Sequence, residues 1–299
     1  MKHAYLIMAH HQFELLTLLV SLLDDERNDI YIHIDSRSKS FLPETIVAAA
    51  KKSQIYFTRR IEVNWGSSSQ ILCELTLLEM ATNNQHYDYY HLLTGQDLPI
   101  KSQNYIHEFF SQNRGKEFVR FQSDSFGYLD RVKYYWFIDS LGRGIKERHT
   151  LAHEMVRVQR ILGVSRVRPE MVFQKGTNRF SITDNLARYV ISQKDLIQNS
   201  YKHTLCCDEV FLQTLIVNSS FVDNLYWRKF DDDIRSIMRL IRWKNGTPHT
   251  FTIEDLDDLM VSEMLFALKF DLDKDDAVVE QVRQRVLGMS ADAHPARDF

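Results

Sequence analysis

The sequence predicts an α/β protein with a central, mostly parallel sheet flanked by helices. Two observations carry this. A strand–helix–strand unit opens the chain, and looser copies of the same alternation follow it. A right-handed crossover between two such strands makes them parallel. With 44% hydrophobic and 26% charged residues over 299 positions, enough apolar material is present for a sizeable core.

Residues 4–9 (AYLIMA) form an apolar run that reads as a buried strand. Phe13, Leu16, Val20 and Leu23 then recur at helical spacing, up to a polar stretch at 24–29. Ile30, Ile32 and Ile34 alternate in a second strand that stops at Asp35. Residues 55–57 suggest a third strand. Gly66-Ser67-Ser68-Ser69 offers caps before a helix carrying Ile71, Leu75 and Leu78 on one face. Residues 89–93 read as a strand, and 94–99 (TGQDLP) as a turn by composition. Further strands are expected at 117–121 and 179–182. Asp208 is placed to cap a helix through Phe211, Leu212, Leu215 and Ile216, and Thr252-Ile253-Glu254-Asp255 resembles a capping box. No repeat or linker interrupts the pattern. One domain is expected over 1–299.

The formal net charge of −3 argues against nucleic acid as a partner. Cys73, Cys206 and Cys207 offer neither a disulfide framework nor zinc spacing. Together with the absence of a signal-like segment before residue 4 and of an apolar run long enough to span a bilayer, this reads as a cytoplasmic protein.

Ligands of parallel sheets gather at the carboxyl ends of strands, where this chain places His10 and Asp35. His10 reads equally as a ligand contact or a surface residue. Asp35 could accept hydrogen bonds from a base or ribose, or could form a turn. Asp208-Glu209 fits a first helical turn electrostatically, and a carboxylate there could also serve as a general base. The acidic pairs within 231–233, 255–257 and 271–273 resemble metal-binding motifs, but none closes an early strand. They read as charge runs, so no metal is assigned. Two basic amphipathic stretches, 149–168 and 228–244, read as helices packed on the core, with contact to a membrane carrying a lipid-linked acceptor as the second reading.

Seven segments in order, AYLIMAH at 4–10, IHID at 32–35, Trp65-Gly66, LLTGQDLP at 92–99, KGTN at 175–178, Asp208-Glu209 and LFALKFD at 265–271, resemble the core-2/I-branching glycosyltransferases. The similarity is to the short form that bacteria carry, and it covers nearly the whole chain. The resemblance implies a GT-A-like nucleotide-binding fold, with 1–120 as a nucleotide-sugar-binding half and 121–299 as an acceptor and catalytic half, and inverting, metal-independent transfer of a sugar, GlcNAc first among them, from a UDP-sugar. The acceptor implied is a glycan or lipid-linked glycan of a bacterial surface polysaccharide, and no cofactor beyond the donor is implied. UDP-xylose, UDP-glucose or UDP-galactose as donor, or a non-catalytic binding relative, are the alternatives.

Carried over by motif, Glu209 is the catalytic base. Met8, Ala9, His10, Asp35, Ser36, Arg37, Trp65 and Lys269 hold the donor. Asp97, Gly176, Thr177 and Trp243 face the acceptor. The sequence departs from the family at Arg179, where an aromatic is usual, and in the stretch 246–249, which lacks a second diphosphate-binding arginine. Arg242 or His249 are its candidate replacements.

Overall fold

A computed structural model describes residues 1–123, 125, 127–137, 146–167, 170–244 and 246–291. Six strands build the main sheet: β1 (His3–Ala9), β2 (Asn28–Ile34), β3 (Gln54–Phe57), β4 (Tyr89–Thr94), β6 (Phe118–Val119) and β7 (Phe180–Thr183). Their order across the sheet is β3-β2-β1-β4-β7-β6. The first four run parallel, with Ala9 opposite Ile34 and Met8 opposite Thr94. β7 is antiparallel to β4 and to β6. This is the helix-flanked, mostly parallel sheet that the sequence predicts.

Alternation along β1 divides the core between two faces. Tyr5, Ile7 and Ala9 pack with the helix Phe13–Leu23 and with Ile106 and Phe110 of the helix Gln103–Gln112. Ala4 and Leu6 pack against the helix Ser69–Asn84 and against Phe211, Leu212 and Ile216 of the helix Phe211–Val217. At about 25 cal/mol per Å² of apolar area removed from water, two fully buried faces dominate the stability.

A second sheet corrects two expectations. Leu98-Pro99, read as part of a turn, forms β5 and pairs antiparallel with β11 (Phe266–Leu268), which runs parallel to β8 (Arg239–Ile241). The segment 228–244 is therefore not an amphipathic helix. It holds a short 3-10 turn (Ile234–Ser236), then β8 and a two-residue strand, β9 (Trp243–Lys244), which pairs with β10 (Thr247–Pro248). Pairing with β11 outweighs helical periodicity there. Arg239 is fully buried and donates to the carbonyls of Ile237 at 2.6 Å and Phe180 at 2.8 Å. The other basic stretch does hold a helix, Lys146–Ile161, with Ala152 and Val156 buried against Tyr134 and Trp136. Arg168, at its far end, lies outside the described residues.

Asp208 does not cap the helix Phe211–Val217. It lies in the 3-10 turn Cys207–Glu209, and its carboxylate is taken by Gln70 instead. The capping box at Thr252 is present, with the Thr252 N–H donating to the Asp255 carboxylate at 2.9 Å. The cysteines are free, with Cys73 and Cys207 buried. Among the described residues no helix is long and apolar enough to cross a membrane.

Candidate functional site

The carboxyl ends of β1, β2 and β4 converge. The Asp35 N–H donates to the Ala9 carbonyl at 3.0 Å, and the Gly95 N–H to the Met8 carbonyl at 3.0 Å. A Cβ on Gly95 would lie 3.0 Å from the Cβ of Ala9, so glycine lets the β4 turn close on β1. His10 is exposed beyond this junction and its ring lies 4.1 Å from that of His11.

Asp35 is buried but fully engaged. Its carboxylate accepts from the Arg37 N–H and guanidinium and from the Val63 N–H. Burial alone would raise its pKa; the Arg37 and Val63 hydrogen bonds outweigh that and hold it at about 2. Asp35 thus fixes the loop that presents Ser36, Arg37 and Trp65, all three exposed.

Lys269 arrives on the segment after β11. Its N–H donates to His249 and its carbonyl accepts from Phe251. Burial lowers the pKa of His11, and the Lys269 charge lowers it further while Asp271 and Asp273 oppose. The Phe270 N–H donates to the Gln96 carbonyl at 3.0 Å, so the segment carrying Lys269 lies against the turn after β4. The Gln12 amide donates to Asp271 at 3.0 Å and Asp273 at 2.8 Å, binding that segment to the one after β1. That acidic pair, read as a distant charge run, is thus a neighbour of the site.

The other acidic pairs hold structure. Asp231 accepts from Trp227, Asp232 pairs with Arg120 at 2.8 Å, and Asp233 pairs with Arg235. Asp255 pairs with both His249 at 2.9 Å and Arg242 at 3.0 Å. Arg242 also reaches Asp258. Both candidates for a second diphosphate cation are engaged with these carboxylates. Among the described residues no group of three His, Cys, Asp or Glu side chains is arranged to hold a metal.

Glu209 has its side chain 34% exposed. Its carboxylate meets Arg131 at 2.8 Å and Lys175 at 3.3 Å, and both cations lie 4.8 Å from the centre of the Tyr128 ring. Its carbonyl accepts from the Gly176 N–H at 2.9 Å. Gly176 has no alternative, because a Cβ there would lie 1.7 Å from the Arg120 carbonyl oxygen. Thr177, partly buried, accepts at its carbonyl from Gln213. Arg179, the departure from the family pattern, lies 4.0 Å from Asp97 and donates to Thr94 Oγ1 at 3.4 Å, so it spans to the end of β4. Asp97 is fully buried and accepts from the Thr94 N–H at 2.6 Å. Trp243 is exposed on its short hairpin.

The structure thus gathers Met8, Ala9, His10, Asp35, Ser36, Arg37 and Lys269 at one end of the sheet and puts Gly176 and Thr177 beside Glu209. Sequence reasoning missed Arg131, and did not foresee Lys175 on Glu209, although Lys175 stood in a quoted motif. Neither has a local signal, since each meets Glu209 from a distant part of the chain.

The fold is α/β, with His10 and Asp35 at the carboxyl ends of its first two strands and Glu209 on a separate turn. The chain belongs to the core-2/I-branching enzyme family, whose sequence pattern matches residues 3–265. It is 25% identical over 311 residues to xylosyltransferase 2 of Rattus norvegicus, covering 98% of this chain and 34% of that protein. It is 24% identical over 300 residues to a beta-1,3-galactosyl-O-glycosyl-glycoprotein beta-1,6-N-acetylglucosaminyltransferase of Bos taurus, covering 91% and 66%. The chain spans about a third of the length of the xylosyltransferases it matches. Among solved structures, it is similar to the apo form of mouse xyloside xylosyltransferase 1 at 12% identity, 72% and 81% coverage and a TM-score of 0.31, a likeness too slight to bear on the fold.

Proposed function

We propose that this chain transfers a sugar, GlcNAc first among the candidates, from a UDP-sugar to a glycan acceptor of a bacterial surface polysaccharide, with inversion and without a divalent metal. The observation that carries the reading is Glu209, a partly exposed carboxylate whose turn is bonded to the Gly176 segment. In a single displacement the acceptor hydroxyl attacks the anomeric carbon and yields its proton to Glu209 as the bond to UDP breaks. His10, Ser36, Arg37 and Trp65 face the nucleotide. Lys269 offsets charge on the departing diphosphate. Asp97, through Arg179, and Trp243 belong to the acceptor side. The metal-free part of the reading is supported by the engagement of the acidic pairs with Arg120, Arg235, Arg242, His249 and Gln12.

The xylosyltransferase relative, which covers 98% of the chain, favours UDP-xylose as the second donor to try. The test is sugar transfer by wild type and Glu209→Gln, with and without EDTA. The variant is expected to lose roughly 10²–10⁴-fold in kcat while UDP still raises its Tm by mass action. Normal turnover by the variant, or abolition of wild-type activity by EDTA, overturns the reading.

A lipid-linked acceptor would bring the protein to a membrane from the cytoplasmic side. Leu151, Val158, Ile161 and Leu162 are exposed along the helix Lys146–Ile161 and its end, beside Arg157 and Arg160. Flotation with anionic liposomes is expected, and its absence removes the membrane from the proposal.

A further inference from the structure

Glu209 is carried on a turn of three residues, Cys207–Glu209, too short to fix itself. Gln70, in the first turn of the helix Ser69–Asn84, reaches it from across the fold. Its Nε2 donates to Asp208 Oδ2 at 2.9 Å, and its Oε1 accepts from the Gly66 N–H. Only this orientation of the amide satisfies both ends, because an N–H needs an acceptor and a carboxylate needs a donor. A second bond closes the loop: the Cys206 N–H donates to the Gly66 carbonyl at 2.8 Å. Gly66 sits at φ +78°, a left-handed conformation that favours glycine, with an added Cβ 3.5 Å from Cys206 Sγ. The turn bearing Trp65 and the turn bearing Glu209 are thus joined at two points.

We propose that Gln70 is a positioning residue that makes the Trp65-Gly66 turn and the Asp208-Glu209 turn move as one unit, so that a donor held against Trp65 sets the orientation of Glu209. This rests on Glu209 acting as the base. The groups facing Asp208 are Glu74 from the same helix as Gln70, Cys206, Cys207 and Glu209 from in and beside its own turn, Arg179 from the segment before β7, and Arg131 from the short helix Leu129–Lys133. Gln70 is the side chain that joins Asp208 to Gly66.

The experiment uses the full chain with Gln70→Ala and Gln70→Glu. Gln70 is partly exposed, so neither change empties the core. Gln70→Ala is expected to lose about 10-fold or more in kcat at every pH, with the KM for the donor within about 2-fold, as misplacement of a reacting group does. Gln70→Glu keeps the shape, but two carboxyls share that hydrogen bond only while one of them holds a proton. Its kcat is expected to approach wild type at pH 5.5 and to fall away by pH 8. Wild-type kcat and pH profile in both variants overturn the proposal. Hydrogen exchange provides a readout that needs no substrate. In Gln70→Ala the segments 64–68 and 204–211 are expected to lose protection together, and loss in one segment alone overturns the coupling. If wild type turns over no UDP-sugar, the proposed function falls, and exchange alone decides whether Gln70 joins the two turns.

Discussion

Two groups of buried polar side chains sit on opposite faces of the same sheet, and they are built differently. On one face His3, His91 and His107 pass hydrogen bonds among themselves and their neighbours: Ser181 to His91 at 2.8 Å, His91 to His3 at 3.1 Å, and His107 to Asn28 at 2.8 Å. The His3 and His107 rings stack at 4.1 Å. Every partner is on a strand, a strand end or the packed helix Gln103–Gln112. On the other face Glu74 and Asp208 lie buried together. Neither oxygen of Glu74 has a hydrogen-bond partner, and Asp208, itself on a turn, is held by Gln70. Burial and then the Asp208 charge push Glu74 up, while burial and then Glu209 push Asp208 to about 7. Polar groups that serve the fold tie rigid elements to each other. Atoms are left unmatched on both faces, His3 Nε2 and His107 Nδ1 on one and both Glu74 oxygens on the other, so the difference is that Asp208 ties down the short turn that carries Glu209.

Acidification gives the larger test of this contrast. Burial, and then the Arg27 charge, lower the pKa of His107 from 6.5 to about 4, and burial lowers His3 and His91 as well. Below 6.5 the unfolded chain binds protons that the folded one refuses, so stability is full above 6.5 and lost as pH falls toward 4. At pH 5 His107 alone costs about 2 kcal/mol. Denaturant unfolding at pH 7 and pH 5 checks this, and His107→Gln is expected to remove its share of the loss. A stability independent of pH in that range would leave the histidines no different from surface ones.

Glu74→Gln gives the smaller effect, of opposite pH sense. Burial, and then the Asp208 charge, let the folded state hold the Glu74 proton to higher pH than the unfolded carboxyl, which ionises above about 4.5, so wild type loses stability as pH rises through that value. The variant has nothing to ionise. It is expected to match wild type near pH 4 and to exceed it at pH 8, with part of the gain offset by burying an unpaired amide. A variant less stable than wild type at pH 8 would show that Glu74 is held ionised, and the two faces would then differ less than their hydrogen bonds indicate.

The opening strand–helix–strand unit was legible because its apolar runs are continuous and match single elements. The helix Gln103–Gln112 was not, because its inward face mixes Gln103 and His107 with Ile106 and Phe110, which breaks the apolar period. β5 was hidden for a different reason: two residues carry no period, and their partner in β11 lies far along the chain. At the site, Asp35 and His10 follow from strand ends. Glu209 and Lys269 entered through family resemblance, while Arg131, Gln70 and Glu74 are known only through contacts across the chain.

The stitch between Gln12 and the Asp271–Asp273 segment joins residues 259 and 261 positions apart. During synthesis, therefore, the first strand and helix leave the ribosome long before the segment that brings Lys269 to them. Gln12, at φ 56° and with its amide seeking acceptors, waits for that segment, and so does β5 for β11. A nascent or truncated chain that stops short of residue 266 carries every strand of the main sheet but lacks Phe266, Phe270, Val278 and Val282 of the core packed on it, and it has no lysine at its end, so a half-made molecule cannot assemble the full proposed donor site.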